Sequence, residues 1–238
     1  MPKLLKKFSK FILDLVFPIE CLDCGQEGDY LCEDCYRKLK FNEAKSLNFS
    51  EANLKISQID SIFIAGDYED PLLKKLIIKY KYNFISPLGH TLANFLIDFW
   101  KLQNEEVETA DFKISKPTKD YLVIPIPLSK KRLRWRGFNQ AEIIARHFSE
   151  YFNYELNLDL KRIKYQRPQA ELSETERLEN IKSSFAWTSE KLTKEDLATK
   201  TIILIDDVLT TGATLNEAAR VLKEAGAAEI YALVLAKG

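Results

Sequence analysis

The sequence predicts an α/β fold built on a mostly parallel sheet. Three predominantly apolar segments, at 121–127, 201–206 and 230–236, have the length and composition of strands that are buried on both faces. Segments with an apolar face at helical spacing separate these runs, and strands that alternate with helices favour parallel pairing. The chain has 238 residues, which suits one main domain with a smaller attachment.

The same periodicity predicts the remaining elements. They are a strand at 61–66, helices at 71–82, 88–102 and 141–152, a helix whose capping box joins Thr193 to Asp196, and a helix through Leu222. Two polar stretches interrupt this order. The stretch at 103–120 predicts a surface insertion, and the stretch at 165–187 predicts a polar excursion.

The first 60 residues differ in pattern from the rest of the chain. Apolar residues between 4 and 16 recur at helical spacing with lysines on other faces, which predicts an amphipathic helix packed on its own protein; a membrane-surface helix is the alternative. Residues 40–60 are polar and weakly periodic, so we place a domain boundary there and expect domains at 1–60 and 61–238. Without an export signal or a transmembrane segment, we expect a cytoplasmic protein.

Charge and histidine content exclude several classes of protein. Lys plus Arg and Asp plus Glu each total 35, so attraction to nucleic acid must come from a local patch. The only histidines of the sequence, His90 and His147, are too few for a multi-histidine metal site or for several histidine bases. Neither has a cysteine or an acid at triad spacing, so we expect structural or solvent-exposed roles for both.

Four cysteines form two CxxC pairs that lie close together. In a reducing compartment thiols do not form stable disulfides, and four thiolates at this spacing suit one closed tetrahedral zinc ion. Gly25, directly after the first pair, can take the positive φ that such a turn needs. Two disulfides or an iron–sulfur cluster are the alternatives. The predicted ligands of this structural Zn²⁺ are Cys21, Cys24, Cys32 and Cys35.

The most informative segment runs from Ile202 to Thr214. A buried strand ends in Asp206 and Asp207, and a turn of threonine, glycine and alanine then opens a helix. Backbone N–H groups and hydroxyls in such a turn can converge on a phosphate, which the helix dipole also favours. The two acids can accept hydrogen bonds from sugar hydroxyls, so the segment supplies both ends of a site for ribose 5-phosphate. The alternative is a pair of helix-capping acids followed by an ordinary turn.

This string resembles the 5-phosphoribosyl-1-pyrophosphate (PRPP) binding motif of type I phosphoribosyltransferases. A second set of residues narrows the resemblance: Pro125-Ile-Pro127, the basic segment KKRLRWRGFNQ at 130–140, then Arg167-Pro-Gln169, Arg177, Asn180 and Phe185. Together with the cysteine pairs, these residues resemble the ComF family of competence-associated phosphoribosyltransferase-like proteins. The resemblance covers nearly the whole chain and weakens at 103–120.

The resemblance implies a doubly wound type I phosphoribosyltransferase domain behind a small N-terminal zinc module with four cysteine ligands. Asp206 and Asp207 would hold the ribose hydroxyls and stabilise positive charge on the reacting sugar, while the basic segment, expected to be a loop, would hold pyrophosphate with Mg²⁺. Residues 165–187 would cover the site. The residues that would bind PRPP are Asp206, Asp207, Thr210, Thr211, Gly212, Ala213, Thr214, Lys130, Arg132, Arg136 and Gly137.

A nucleic-acid hypothesis has its own support, because cations and aromatic residues alternate in two places. The candidate residues are Lys74, Lys75, Lys79, Lys81, Tyr82 and Trp135. An amphipathic helix that exposes its lysines and a solvated basic loop are the plain alternatives. The competence association of the family favours single-stranded DNA and proteins of the uptake machinery as partners. The rival hypothesis is a transferase that moves ribose 5-phosphate to a nucleobase-like acceptor without a DNA role. The sequence identifies no acceptor pocket, so catalysis stays open.

Overall fold

The computed structural model describes four ranges of the chain, namely 18–42, 56–104, 120–163 and 184–238. Several predictions lie outside the described residues. They concern the N-terminal helix, nearly all of the polar insertion, and the part of the polar excursion that carries Arg167, Gln169, Arg177 and Asn180.

Five parallel strands form the central sheet of the described residues, in the order β1-β7-β6-β2-β3. Their bounds are β1 Ser61–Asp67, β2 Tyr121–Pro125, β3 Glu155–Leu156, β6 Thr201–Leu209 and β7 Glu229–Lys237. A separate antiparallel pair joins β4 Leu160–Arg162 to β5 Phe185–Trp187. Parallel neighbours that are distant in the chain need crossover connections, and helices provide them. The predicted α/β fold is confirmed.

Helices cover both faces of this sheet. Their bounds are α1 Glu33–Tyr36, α2 Pro71–Tyr82, α3 Leu88–Asn104, α4 Lys130–Arg136, α5 Gln140–Phe152, α6 Lys194–Thr199 and α7 Ala213–Glu224. No described helix is both long enough and apolar enough to cross a lipid bilayer.

Capping residues fix where two of these helices begin. The side chain of Asp70 accepts a hydrogen bond of 2.8 Å from the N–H of Leu73, and Pro71 fills the first position of α2, where no N–H partner is needed. Thr193 and Asp196 form the predicted capping box at the start of α6, with bonds of 2.8 and 3.2 Å. Each cap contributes about 1 kcal/mol to stability.

Side-chain alternation along β6 divides the core into two layers. Ile203 and Ile205 pack in the cluster that contains α2, α3 and α5, whereas Ile202 and Leu204 pack in the cluster that contains α6 and α7. Both layers are fully buried, which explains why β6 is a continuous apolar run rather than an alternating one. Adjacent residues at the end of β6 therefore point toward different helices.

The cysteine-bearing segment packs against α3. The hydroxyl of Tyr36 donates a 2.7 Å hydrogen bond to Asp98, and the ring of Phe41 stacks on Phe95 with 4.7 Å between centroids. Cys21 and Cys35 belong to the same buried cluster as α2 and α3. Ile56 and Ile59, which precede the expected domain boundary, are buried in the other layer of the core. The division at residue 60 stays a prediction.

Candidate functional site

Asp206 and Asp207 lie near the carboxyl end of β6, the edge at which α/β sheets place their ligands. β6 continues past its predicted end to Leu209, so both acids are strand residues, and Asp206 pairs in register with Val234 of β7. Because the strand is pleated, the two carboxylates leave it on opposite faces, with Asp207 on the side of α2. One short segment thus presents acids to two different parts of the site.

Lys81, at the end of α2, is the ion-pair partner of Asp207. Its Nζ lies 2.8 Å from Oδ1 of Asp207, and only 15% and 6% of the two side chains are exposed. The second carboxylate oxygen, Oδ2, is buried and has no hydrogen-bond partner among the described residues. A buried carboxylate needs compensation for its lost hydration, so Asp207 is tied to Lys81 and still has one oxygen available.

Asp206 has a different electrostatic environment. Burial and the neighbouring charge of Asp207 raise the pKa of Asp206 to about 7, although the N–H of Asp207, Lys81 and Arg162 oppose the shift. That N–H donates to Oδ1 of Asp206 at 2.8 Å. A carboxyl that is costly to ionise gains from any cation or donor that approaches it. The pair therefore favours a ligand that brings hydroxyl groups or a metal ion.

The turn after β6 opens α7 around Gly212. Gly212 has φ +76°, and a Cβ at this position would overlap the side chain of Ile56. Gly212, at the N-cap of α7, has no side chain to cap the helix, and Oγ1 of the exposed Thr211 accepts the N–H of Ala213 at 3.4 Å. Thr210 is exposed beside it. Unsatisfied N–H groups at a helix N-terminus together with nearby hydroxyls form an anion site, so the geometry fits the predicted phosphate cradle. The assignment of Thr210–Thr214 to PRPP stays a prediction.

The basic segment is the helix α4, and the expectation of a loop there was wrong. Oγ of Ser129 accepts the N–H of Arg132 at 3.3 Å, and Gly137, in the left-handed conformation, ends the helix with its N–H donating to Leu133 at 2.8 Å. These end signals are in the sequence, but the dense positive charge between them favoured a loop interpretation. Arg136 is 8% exposed, and its Nε has no partner among the described residues.

A cavity of about 810 Å³ opens between α4 and the β4–β5 pair. Its lining combines apolar residues with charged ones, namely Lys130, Lys131, Arg134, Lys161, Arg162 and a single acid, Glu142. Nε of Arg162 and Oδ1 of Asn139 are buried without partners among the described residues. Burial and Arg132 lower the pKa of Arg162, whereas Asp206 opposes that shift. Because cations outnumber the acid in its lining, the cavity suits an anionic ligand, and Arg162 connects it electrostatically to Asp206.

An exposed aromatic surface lies beside the acids. We define it by Tyr82, Phe84 and Trp135, which are 55%, 44% and 57% exposed. The Trp135 ring centroid lies 6.2 Å from that of Tyr82 and 5.3 Å from that of Phe84. The Arg136 guanidinium lies 5.6 Å from the centre of the Tyr82 ring. Sequentially distant segments thus form one surface of packed rings and a cation, which is the composition that binds nucleobases and phosphates.

The other candidate lysines of α2 are arranged differently. Lys74 pairs with Glu69 at 3.2 Å and lies over the ring of Tyr68, and Lys75 donates to the backbone oxygen of Leu22 in the cysteine-bearing segment. Lys81 belongs to the acid pair rather than to an open basic face. Of this set, Tyr82 and Trp135 are the members that the structure brings together.

The four cysteines meet as predicted from their spacing. Their sulfur atoms all lie within 4.8 Å of one another, and Sγ of Cys24 lies 3.7 Å from Sγ of Cys32. A tetrahedral zinc ion with Zn–S bonds of about 2.3 Å sets its sulfur atoms about 3.8 Å apart. Gly25 has the expected positive φ of +78°. The donor set therefore fits a closed four-sulfur metal site.

The thiols of this cluster have unequal proton affinities. Burial alone would raise the pKa of Cys21, but hydrogen bonds from backbone N–H groups, including those of Cys24 and Cys32, lower it to about 6. Burial raises the pKa of Cys35 well above its usual range, and the side chain of Asp23 adds to that shift. The N–H of Cys32 donates to Sγ of Cys21 at 3.5 Å, a contact that favours the thiolate.

The two histidines contact each other between α3 and α5. Nδ1 of His90 lies 3.4 Å from Nδ1 of His147, whose Nε2 lies 2.9 Å from Oδ1 of Asn94. Burial lowers the pKa of His147, and His90 adds to the shift. They connect α3 to α5, consistent with the structural role expected for them.

Two residues of this region carry no signal in the sequence. Phe84 follows α2 with φ +58°, and no helical or strand pattern signals a large side chain in the left-handed conformation. Arg162 lies on β4, a strand of three residues that is too short for a periodic signal. Contacts between elements that are distant in the sequence, rather than a local sequence pattern, bring Phe84 and Arg162 to the site.

Comparisons with known proteins agree with this geometry. The family model described as "Phosphoribosyl transferase domain" matches residues 135–238. Competence protein F of Haemophilus influenzae is 30% identical over 91% of this chain and 84% of its own length. Competence protein ComFC of Bacillus subtilis is 40% identical over 87% of this chain and 73% of its own length. DNA utilization protein YhgH of Escherichia coli K12 is 27% identical over 72% of this chain and 70% of its own length.

Proposed function

Because the chain belongs to the ComF family of competence proteins, we propose that it binds Mg²⁺–PRPP at the carboxyl end of β6 and single-stranded DNA on the aromatic surface beside it. It would act in the cytoplasm during DNA uptake, alongside proteins of the uptake machinery. The names of its relatives, which refer to competence and DNA utilization, favour this role over a transferase without one.

The acid pair and the turn after it carry the PRPP assignment. Asp207 offers an unpartnered buried oxygen, and Gly212, which has no side chain to cap the helix, opens α7 a few residues later. Ribose hydroxyls would donate to the carboxylates while the 5-phosphate accepts N–H groups and threonine hydroxyls. As pyrophosphate departs, positive charge grows on the sugar, where Asp206 and Asp207 would stabilise it.

Mg²⁺ would be held at the same edge of the sheet. Asp206 and Asp207 are the carboxylates that fit it, directly or through water, since Mg²⁺ prefers oxygen ligands and retains several waters. Bound there with PRPP, the ion supplies charge neutralisation for pyrophosphate. Arg136 and the cations of the cavity provide the protein's own share of that charge.

The cysteine cluster would hold structural Zn²⁺. Four sulfur ligands leave no open position for a substrate, so the ion would stabilise the segment rather than catalyse a reaction. The segment in turn contacts α2 through Lys75 and α3 through Tyr36. Zinc binding would therefore help to fix α3 and α2, and the end of α2 carries Lys81 and Tyr82.

A phosphoribosyl transfer reaction is the second candidate, favoured by the cavity beside the acids. The cavity has room for an acceptor or for pyrophosphate, and Arg162 links it electrostatically to Asp206. Its cationic lining suits an anionic occupant more than a neutral base. Release of pyrophosphate on addition of nucleobases or DNA would establish the reaction, and PRPP binding without release would restrict the protein to binding.

Calorimetry of Mg²⁺–PRPP tests the assignment of the site. We expect the double variant Asp206→Asn with Asp207→Asn to bind at least about tenfold more weakly, because hydrogen bonds to charged groups each contribute about 1.5–3 kcal/mol. Asp67→Asn, at the carboxyl end of the edge strand β1, is the matched control and should bind like the wild type. Equal affinity in a folded double variant would refute the assignment.

Fluorescence anisotropy with a labelled oligo(dT) tests the DNA surface. Tyr82→Ala and Trp135→Ala should each weaken binding by about 1–3 kcal/mol, since each removes a ring on which a base can stack. Binding should also fall steeply with salt, because phosphate contacts release counterions. Tyr151→Ala is the control, an equally exposed aromatic on α5 at 53%. Salt-independent or negligible wild-type binding would eliminate the DNA role.

A further inference from the structure

Lys81 lies where the acid pair meets the aromatic surface. It precedes Tyr82 in the chain, yet its Nζ contacts Asp207 at 2.8 Å, and only 15% of its side chain is exposed. The Arg136 guanidinium, 5.6 Å from the centre of the Tyr82 ring, also interacts electrostatically with Asp207. Two cations therefore lie between a surface suited to nucleic acid and an acid suited to a sugar.

The arrangement leaves Asp207 and Lys81 satisfying each other in the free protein. Oδ1 of Asp207 accepts from Lys81 and from the N–H of Val208, while Oδ2 is buried and unpartnered among the described residues. A ligand that takes Asp207 as an acceptor competes with Lys81 for its negative charge. A phosphate that takes Lys81 competes with Asp207 for the positive charge. Each ligand thus weakens the ion pair between Lys81 and Asp207, and thereby frees the residue that the other ligand needs.

The backbone between the two surfaces supports this connection. Phe84 has φ +58°, a conformation that costs free energy for a bulky side chain and persists only where surrounding structure imposes it. That conformation places its ring against Trp135, with 5.3 Å between centroids, only three residues after Lys81. Ring packing at the aromatic surface and the position of Lys81 therefore depend on one short segment.

We propose that Lys81 couples the two ligands, so that binding of single-stranded DNA strengthens binding of Mg²⁺–PRPP and binding of Mg²⁺–PRPP strengthens binding of DNA. This coupling rests on the proposed function, since it needs both ligands to bind. DNA phosphate replaces Asp207 as the counter-ion of Lys81, and the ligand at Asp207 replaces Lys81. Each exchange preserves charge pairing, so neither buried group is left unpaired.

The coupling has to be reciprocal. If saturating DNA raises the affinity for PRPP by a given factor, PRPP must raise the affinity for DNA by the same factor. Couplings between two sites usually fall between about 5-fold and 150-fold, and we expect on the order of tenfold here. The sign of the coupling separates an exchange of partners from simple repulsion, because two anions that merely repel would weaken each other.

The experiment measures both affinities of the full chain. Calorimetry gives the affinity for Mg²⁺–PRPP with and without saturating oligo(dT), and anisotropy gives the affinity for oligo(dT) with and without saturating Mg²⁺–PRPP. We expect both ratios to be near tenfold in the wild type. In Lys81→Met both ratios should fall to about one, whatever happens to the separate affinities, while Lys81→Arg should retain most of the coupling.

Lys79→Met, two residues earlier on α2, is the control for loss of positive charge. Because Lys79 is itself a nucleic-acid candidate, its removal can lower the affinity for oligo(dT), but both ratios should stay near the wild-type values. Wild-type ratios of one, or a mutual weakening, would overturn the coupling while leaving the proposed function intact. Unchanged ratios in Lys81→Met would overturn the role of Lys81. Failure of the wild type to bind oligo(dT) at all would instead overturn the DNA part of the proposed function, and the coupling with it.

Discussion

The cysteine cluster and the acid pair both gather groups that carry or acquire negative charge, yet they depend on different parts of the structure. The cluster takes its ligands from two short turns with little core of their own, and its sulfur atoms lie within 4.8 Å of one another. The acid pair projects from the end of a strand that is buried through most of its length. We expect the first arrangement to need a metal ion, whereas the second is imposed by the sheet.

This difference has a consequence for stability at each site. Removing the metal ion would leave the cysteines held only by the packing of Cys21 and Cys35 and by a few hydrogen bonds, such as that from the N–H of Cys32 to Cys21. The sheet holds Asp206 and Asp207 together even without a ligand, so their mutual repulsion and burial remain as a cost. The four cysteines should therefore stabilise the folded protein only when metal is bound. Substitution of one acid of the acid pair should, in contrast, increase the stability of the folded protein.

Removal of the metal gives the largest expected effect. Protein purified without chelator should contain one zinc per chain, and Cys35→Ser should lose it, because structural zinc in small modules contributes about 10–16 kcal/mol of binding free energy. Limited proteolysis should then cut within 18–42, whereas the transition of the sheet remains cooperative. A metal-free wild type that resists proteolysis there, or two disulfides by mass spectrometry, would contradict the metal site.

Two glycines with nearly the same φ angle, one beside the cysteine cluster and one after the acid pair, allow a direct comparison of the two regions. Gly25 has φ +78° with open space around it, and Gly212 has φ +76° with Ile56 against it. Gly25→Ala should cost only the backbone strain, about 1 kcal/mol, while Gly212→Ala should cost about 2–3 kcal/mol because Ile56 must also move. Urea unfolding of both variants gives the comparison. Equal costs would mean that Ile56 does not confine the turn.

Asp206→Asn tests the cost built into the acid pair. The pKa of Asp206 is about 7 in the folded protein and near 3.8 without the fold, so the unfolded chain ionises first and stability falls as pH rises between those values. Asn does not ionise. The variant should therefore gain stability, and its gain at pH 8 should exceed that at pH 5 by on the order of 1–2 kcal/mol, allowing for partial exposure. A gain that is the same at both pH values would contradict the shift.

The same contrast explains how far the sequence could predict the molecule. The cysteine spacing, the strand carrying the acids and the capping box are local patterns, and their geometry follows from residues within a few positions of one another. The relation of Lys81 to Asp207 is not local, because it depends on how α2 crosses the sheet and on the pleat of β6. Lys81 was therefore predicted only as a nucleic-acid candidate, and no local pattern indicated its contact with Asp207.

The basic segment shows a second limit of prediction from the sequence. Its helical ends were readable in Ser129 and Gly137, but the density of cations between them outweighed those signals. Residues such as Arg136 are accommodated because the Tyr82 and Trp135 rings and the charge of Asp207 surround the guanidinium. Most of those partners come from other elements, so propensity alone could not reveal that a helix would form there.

The smallest effect concerns the hydrogen bond that joins the two regions. Burial and Asp98 raise the pKa of Tyr36 far above its usual range, and the hydroxyl donates to Asp98 at 2.7 Å. Tyr36→Phe should cost about 1 kcal/mol in the zinc-loaded protein, because Asp98 is partly exposed and keeps a contact with Lys101. Unfolding by urea measures this cost.

The same substitution, measured with and without metal, tests whether the hydrogen bond between Tyr36 and Asp98 depends on the metal ion. If the cysteine-bearing segment unfolds without metal, Tyr36 no longer reaches Asp98, and Tyr36→Phe should have no effect in protein treated with a chelator. Tyr30→Phe is the control from the same segment, an aromatic residue that is only partly buried. A cost of Tyr36→Phe that persists after the metal is removed would show that the segment keeps its contact with α3 unaided, and the contrast between a metal-dependent cluster and a sheet-imposed acid pair would fail.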